Sequence, residues 1–207
     1  MKVAPFPVLP LADYASVRRE IRSGDILLAS GEYAFSKLIQ RATGSVWSHA
    51  AFVLRVEEID RVMVLESIEG HGVRTLALSE YVKNFENTGA GYKGRLAIAR
   101  HQRFSGAATT DNLKAMSQFA VDRLSYPYDS EEIARITARI VGNFLGFSAD
   151  EIKRDQEYIC SEYVYECYKT LGIDVPYDTR GFVAPADFAR AKDVQLLWEL
   201  QTHLKAR

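Results

Sequence analysis

Residues 36–54 read SKLIQRATGSVWSHAAFVL, and within this stretch the periodicity of the chain changes. From Tyr33 to Ala42 the apolar residues recur at helical spacing, and the pattern stops ahead of Gly44, a residue suited to the left-handed turn that ends a helix. From Ser48 to Val56 (SHAAFVLRV) the chain is apolar and β-branched and reads as a strand with His49 at its mouth. An imidazole there stands on rigid backbone, while Ala51 and Val53 point the same way toward packing. Such a histidine suits a general base. A structural histidine with one satisfied nitrogen fits the same position.

Working outward, Asp25 to Ser30 (DILLAS) is a short apolar run behind the turn signal Ser23-Gly24. Arg61 to Ile68 (RVMVLESI) follows the His49 strand across a polar EEID stretch, which predicts an antiparallel hairpin. Val73 to Leu78 and Arg95 to Ala99 each add a strand, with a short helix near Ser79 to Asn84 between them. The second half is helical. Thr110 to Leu124 carries apolar residues at three- and four-residue steps, with Thr109 or Thr110 as cap. Glu131 to Phe144, capped by Asp129 or Ser130, and a short helix opened by Ser148 and Glu151 come next. Ile159 to Leu171 (ICSEYVYECYKTL) is a helix ended by Gly172, and Pro185 starts another through Lys192. Asp193 to Leu200 (DVQLLWEL) reads as a strand. Strands first and helices after define an α+β chain.

The 207 residues, 47% hydrophobic and 26% charged, suit one globular domain spanning 1–207, without repeat, linker or low-complexity tract. With 26 Lys and Arg against 27 Asp and Glu, the formal net charge of −1 gives no field to attract nucleic acid, so no nucleic-acid partner is expected. Pro5, Pro7, Pro10 and Asp13 break the first apolar stretch, so no export signal is read, and no run of about 18 apolar residues marks a membrane span. Cys160 and Cys167 are too few for a disulfide framework, and on one helix they lie about 10 Å apart along its axis. There is no CxxC, and His49, His71, His101 and His203 are scattered singly, so neither a metal nor a cofactor is expected. A reduced, cytoplasmic protein is the expectation; its oligomeric state is not written in these features.

Cys160 is the residue best placed for chemistry. It falls at the first turn of its helix, where unpaired backbone N–H groups and the positive dipole end favour a thiolate and could hold an oxyanion. As a small hydrophobe it would equally suit a core, the reading that fits Cys167 better. A thiol site needs a third group to fix the base's tautomer. Glu66, a carboxylate among the apolar residues of VMVLESI, is the candidate, and Glu69, just past the strand end, competes with it according to strand register. In Tyr126-Pro127-Tyr128-Asp129 the proline fixes a turn that would hold Tyr128 on rigid backbone, either as a packing element or as a donor to an oxyanion.

Taken in order, SGDILL, SKLIQRATGSVWSHAAFVL, VLESIEGHGV, LSYPYD and YICSEYVYECY resemble the permuted papain-like amidases of the NlpC superfamily, of YiiX and YaeF type, from about Gly24 to Leu171. The strands precede the cysteine helix, which is the permuted order. The resemblance implies a circularly permuted papain-like fold, with an antiparallel sheet of about five strands packed against helices that include the cysteine helix. It implies Cys160 as nucleophile, His49 as base, Glu66 as the polar third member and Tyr128 as the tyrosine that helps bind the oxyanion. The activity implied is a thiol hydrolase that cleaves a peptide, γ-glutamyl or isopeptide-like amide through a thioester. A thiol acyltransferase or lipid amidase, akin to lecithin:retinol acyltransferases, is the alternative, with an acyl or lipid-containing substrate in place of a small peptide. A catalytically inactive binding module is the third, and the retention of Cys, His and carboxylate argues against it. The resemblance implies an export signal or wall-binding module in members that act on cell-wall peptides; neither is read here, so a cell-wall peptide is not the expected substrate.

Overall fold

In the computed structural model, which describes residues 2–104, 110–128, 159–177 and 182–202, the strands form one seven-stranded sheet. They are β1 (Leu11–Ala12), β2 (Ile26–Gly31), β3 (His49–Val56), β4 (Arg61–Ile68), β5 (Gly72–Ala77), β6 (Gly94–His101) and β7 (Val194–Leu200). Their order across the sheet is β1-β7-β6-β2-β3-β4-β5. Every pairing is antiparallel except β1 with β7, so the sheet is mixed. The described helices are α1 (Tyr14–Val17), α2 (Ala34–Thr43), α3 (Leu78–Lys83), α4 (Thr110–Val121), α5 (Cys160–Lys169) and α6 (Pro185–Arg190).

Both faces of the central strands are covered. Ile26, Leu28, Ala50, Phe52 and Leu65 pack toward Met116 of α4 and toward Tyr163, Val164, Cys167 and Tyr168 of α5. Leu27, Ala29, Ala51, Val53 and Val64 pack toward Tyr14, Val17, Leu78, Tyr81 and Phe85 on the opposite face. This is why DILLAS and HAAFVL are continuous apolar runs instead of alternating ones: neither face of β2 or β3 meets water. Among the described residues, no helix is long and apolar enough to cross a membrane.

The architecture is the expected α+β one, with one correction. The sheet has seven strands where the resemblance implied about five: β7 is the DVQLLWEL run, and β1 escaped the reading altogether. Two residues between Pro10 and Asp13 carry no local strand signal; β1 exists because Leu11 and Ala12 pair with Glu199 and Leu200 from the far end of the chain. The linker of the β3–β4 hairpin is a 3-10 turn, Glu57–Ile59, closed by Asp60 with φ of 48°. Element ends moved by a few residues, as helix ends do; α4 stops at Val121 and the chain then leaves through turns. The helices read at Glu131–Phe144 and from Ser148 lie outside the described residues.

Candidate active site

The stretch that brings His49 to the sheet is fastened at each step. Gly44, with φ of 60°, ends α2 and returns its N–H to the Gln40 carbonyl. Trp47 is then buried against Phe6, with ring centroids 4.8 Å apart. Ser48 locks the entry to β3. Its backbone N–H donates to the Ala29 carbonyl at 2.9 Å, and its hydroxyl oxygen accepts the Gly31 N–H at 3.0 Å. His49 follows as the first residue of β3, opposite Ala29, with its side chain only 16% exposed.

Strand register decides which carboxylate it meets. Val53 pairs with Val64, so Glu66, two residues beyond Val64, lies on the face that carries His49, Ala51 and Val53. His49 Nε2 and Glu66 Oε2 are 2.6 Å apart. Glu69 is past the end of β4 and exposed at the cleft mouth. Glu66 is wholly buried and satisfied by two further donors. Arg74, directly opposite it on β5, donates from Nε to Oε1 at 2.9 Å, and the Tyr81 hydroxyl of α3 donates to Oε2 at 2.5 Å.

Helix α5 lies on the other face of the sheet, against Ala50 and Phe52, and its first residue is Cys160. Ile159 precedes it in extended conformation and offers no side-chain cap, so the first-turn N–H groups of the helix receive no capping side chain there. Because the helix starts at the mouth of β3, Cys160 and His49 line the same cleft and lie close enough to shift each other's protonation. Glu66 occupies Nε2 of the imidazole. Next to it, the Ser161 hydroxyl donates to the Val183 carbonyl at 2.6 Å and anchors the helix start.

Charge follows from this geometry. Burial pulls the His49 imidazolium down, but the Cys160 sulfur and then the Glu66 carboxylate outweigh it and hold the imidazole up at about 10. Burial pushes the Cys160 thiol up, and the His49 charge with the Ala50 N–H brings it below its ordinary value. Burial also raises Glu66, yet His49, Tyr81 and Arg74 together keep it below the usual carboxylate range. A thiolate beside an imidazolium, itself beside a carboxylate, is the state these neighbours favour. Cys167, by contrast, is buried in the core with its thiol pushed far up by desolvation.

Tyr128 reaches the same place by a different route. After α4, Ser125 turns with φ of 70°, its N–H donates to the Val73 carbonyl at 2.8 Å, and the Val73 N–H donates to the Tyr126 carbonyl at 2.8 Å. The Tyr126–Tyr128 segment is thereby stitched to the start of β5. This close approach requires Gly72: its φ is 69°, and a Cβ there would stand 2.1 Å from the Tyr126 carbonyl oxygen. Cys160, His49, Ser48 and Tyr128 open onto one cleft of about 320 Å³, whose walls include six phenylalanine and tyrosine rings.

The structure thus brings His49 and Glu66 into contact and places Cys160, His49 and Tyr128 on the lining of one cleft. Sequence reading missed Arg74 and Tyr81. A charged residue in the middle of GVRTLA was a signal for Arg74, but only the β4–β5 register assigns it to Glu66. Of the other histidines, His71 is exposed, His101 is buried and accepts the Arg103 N–H, and His203 lies outside the described residues.

The sheet, the cysteine helix on one of its faces and the strands-first order define a permuted papain-like α+β protein. The chain belongs to the family described as permuted papain-like amidase enzyme, YaeF/YiiX, C92 family, whose model matches residues 20–203. Among solved structures it is similar to one described as metalloprotein yiiX from Escherichia coli O157:H7, with a TM-score of 0.60 and 20% identity, over 86% of this chain and 98% of that one. A search of curated proteins finds no match. Among the described residues no group of three or more His, Cys, Asp or Glu could hold a metal ion. His49 and Glu66 spend their donor atoms on each other, on Arg74 and on Tyr81.

Proposed function

We propose that this member of the amidase family is a thiol hydrolase that cleaves an amide bond of a small peptide, γ-glutamyl or isopeptide-like substrate through a thioester on Cys160. The observation that supports the reading is the His49 Nε2–Glu66 contact beside Cys160 on the lining of one cleft. The Cys160 thiolate adds to the carbonyl carbon, forming a C–S bond and moving the π electrons onto oxygen. The backbone N–H of Cys160 and the hydroxyl of Tyr128 stabilise that oxyanion. As it collapses, the C–N bond breaks and the proton of the His49 imidazolium passes from Nδ1 to the leaving amine. Neutral His49 then takes a proton from water, which adds to the thioester; the C–S bond breaks and the thiolate–imidazolium pair returns. Glu66 keeps the ring in the tautomer and orientation both steps need.

A second reading has its own support. Tyr33, Phe35, Ile39, Phe85 and Tyr92 line the cleft, and such walls suit an apolar acyl group. In that case the thioester carries a fatty acyl chain and an acceptor other than water resolves it. Quenched-flow incubation with γ-glutamyl anilides and, separately, with N-acyl amides, read by intact mass and peptide mapping, tests both. An acyl adduct on Cys160 that decays to free acid supports the first reading, whereas decay only on addition of an amine or alcohol acceptor supports the second. No adduct on Cys160 from any amide, with turnover retained in Cys160→Ala, would exclude both.

A further inference from the structure

Glu66 is wholly buried and has partners from several elements: His49 on β3, Arg74 on β5 and Tyr81 on α3. Beyond Arg74, the half-exposed Glu86 carboxylate stands 3.8 Å from an Arg74 terminal nitrogen, a second and weaker counter-charge. Tyr92 packs on the Tyr81 ring, with centroids 5.6 Å apart, and Cys160 lines the same cleft as His49. A buried carboxylate this close to a thiol site has two ways to lose its function: it can take up a proton, or it can rotate and release the imidazole. Arg74 acts on the first by supplying the positive charge that offsets burial, since no other cation besides His49 is within contact of Glu66 among the described residues. Tyr81 acts on the second. Its hydroxyl and the His49 ring grip the same oxygen, Oε2, while Arg74 holds Oε1, so the carboxylate plane is defined at both ends.

We propose that Arg74 and Tyr81 are positioning residues of the active site, which hold Glu66 anionic and oriented and thereby maintain the Cys160–His49 ion pair. The proposal rests on the assignment of Cys160 and His49 as nucleophile and base. Neither residue is required to touch substrate. Their effect is transmitted through one carboxylate, which makes it separable from a role in binding.

The test is the pH profile of Cys160 alkylation by iodoacetamide, followed by peptide mapping, in Arg74→Gln, Arg74→Lys, Tyr81→Phe and Glu66→Gln, with the folded state of each verified by near-ultraviolet circular dichroism. Arg74→Gln should move the acid limb up by about one pH unit, making labelling on the acid side of the wild-type midpoint ~10-fold slower. Arg74→Lys should restore most of the shift, and Tyr81→Phe, isosteric and therefore the safeguard if Arg74→Gln fails to fold, should move the limb the same way. In the Glu66→Gln background neither substitution should shift it further. Profiles that overlay wild type, or shifts that persist without Glu66, would overturn the proposal. Slow labelling in the wild type, indifferent to His49→Ala, would instead remove the nucleophile assignment, and so reports the other failure separately.

Discussion

His49 carries a pKa of about 10 because it lies between two negative groups, and each can be removed singly. Glu66→Gln keeps the side-chain shape and loses the charge. Amide turnover should fall ~10²-fold or more with the fold intact, the range lost when an acid–base group is mis-set; turnover at the wild-type rate would take Glu66 out of the site. Cys167→Ser is the converse case. It introduces a hydroxyl into a closed core and should cost about 1–3 kcal/mol in urea denaturation, yet leave kcat/KM nearly unchanged. Loss of acylation in that variant would mean the wrong cysteine had been assigned. At this level the sequence was legible where chemistry made a residue costly to place: a carboxylate inside VMVLESI and a cysteine at a helix start both stood out. Arg74 and Tyr81 did not, because their roles come from pairings across β4–β5 and with α3 that no local pattern encodes.

Among the described residues, helices and strands were recovered where one segment signals for itself. The switch from α2 to β3 is written in ten helical residues, a glycine and an apolar run. β1 is not, since it is made by its partner strand. The junction between β5 and the segment after α4 is likewise non-local, and it gives a prediction. Gly72→Ala adds ~1–2 kcal/mol of left-handed backbone strain and drives a methyl into the Tyr126 carbonyl. The Tyr126–Tyr128 segment should move off β5. Turnover should then drop by about 10²-fold, the scale of a one-ångström misplacement, while the pH profile of Cys160 alkylation stays in place. A matching collapse of that profile would show that Gly72 supports the Cys160–His49 pair instead of Tyr128.

For the molecule as a whole, the proposed Cys160–His49 ion pair should leave a mark on stability. Unfolded, Cys160 and His49 together bind two protons below about pH 6.5, one between about 6.5 and 8.5, and none above. Folded, the pair keeps one proton from below the ordinary cysteine range up to about pH 10. Between about 8.5 and about 10 the folded chain therefore holds one proton and the unfolded chain none, so stability falls as pH rises through that window. Urea midpoints of wild type minus Cys160→Ala, measured from pH 8 to 11, should shrink as pH rises toward 10. A difference that does not vary with pH would mean that no proton is displaced between the two residues on folding.

All of this depends on a thiolate at Cys160 sustained by His49, which is read most directly by the rate of iodoacetamide labelling against pH in wild type and His49→Ala, with intact mass and peptide mapping. The expected result is fast labelling confined to Cys160, already present well below pH 7, and slowed to the rate of an ordinary thiol with an ordinary midpoint once His49 is lost. Labelling that rises only near the pKa of a free cysteine and is indifferent to His49 would contradict it.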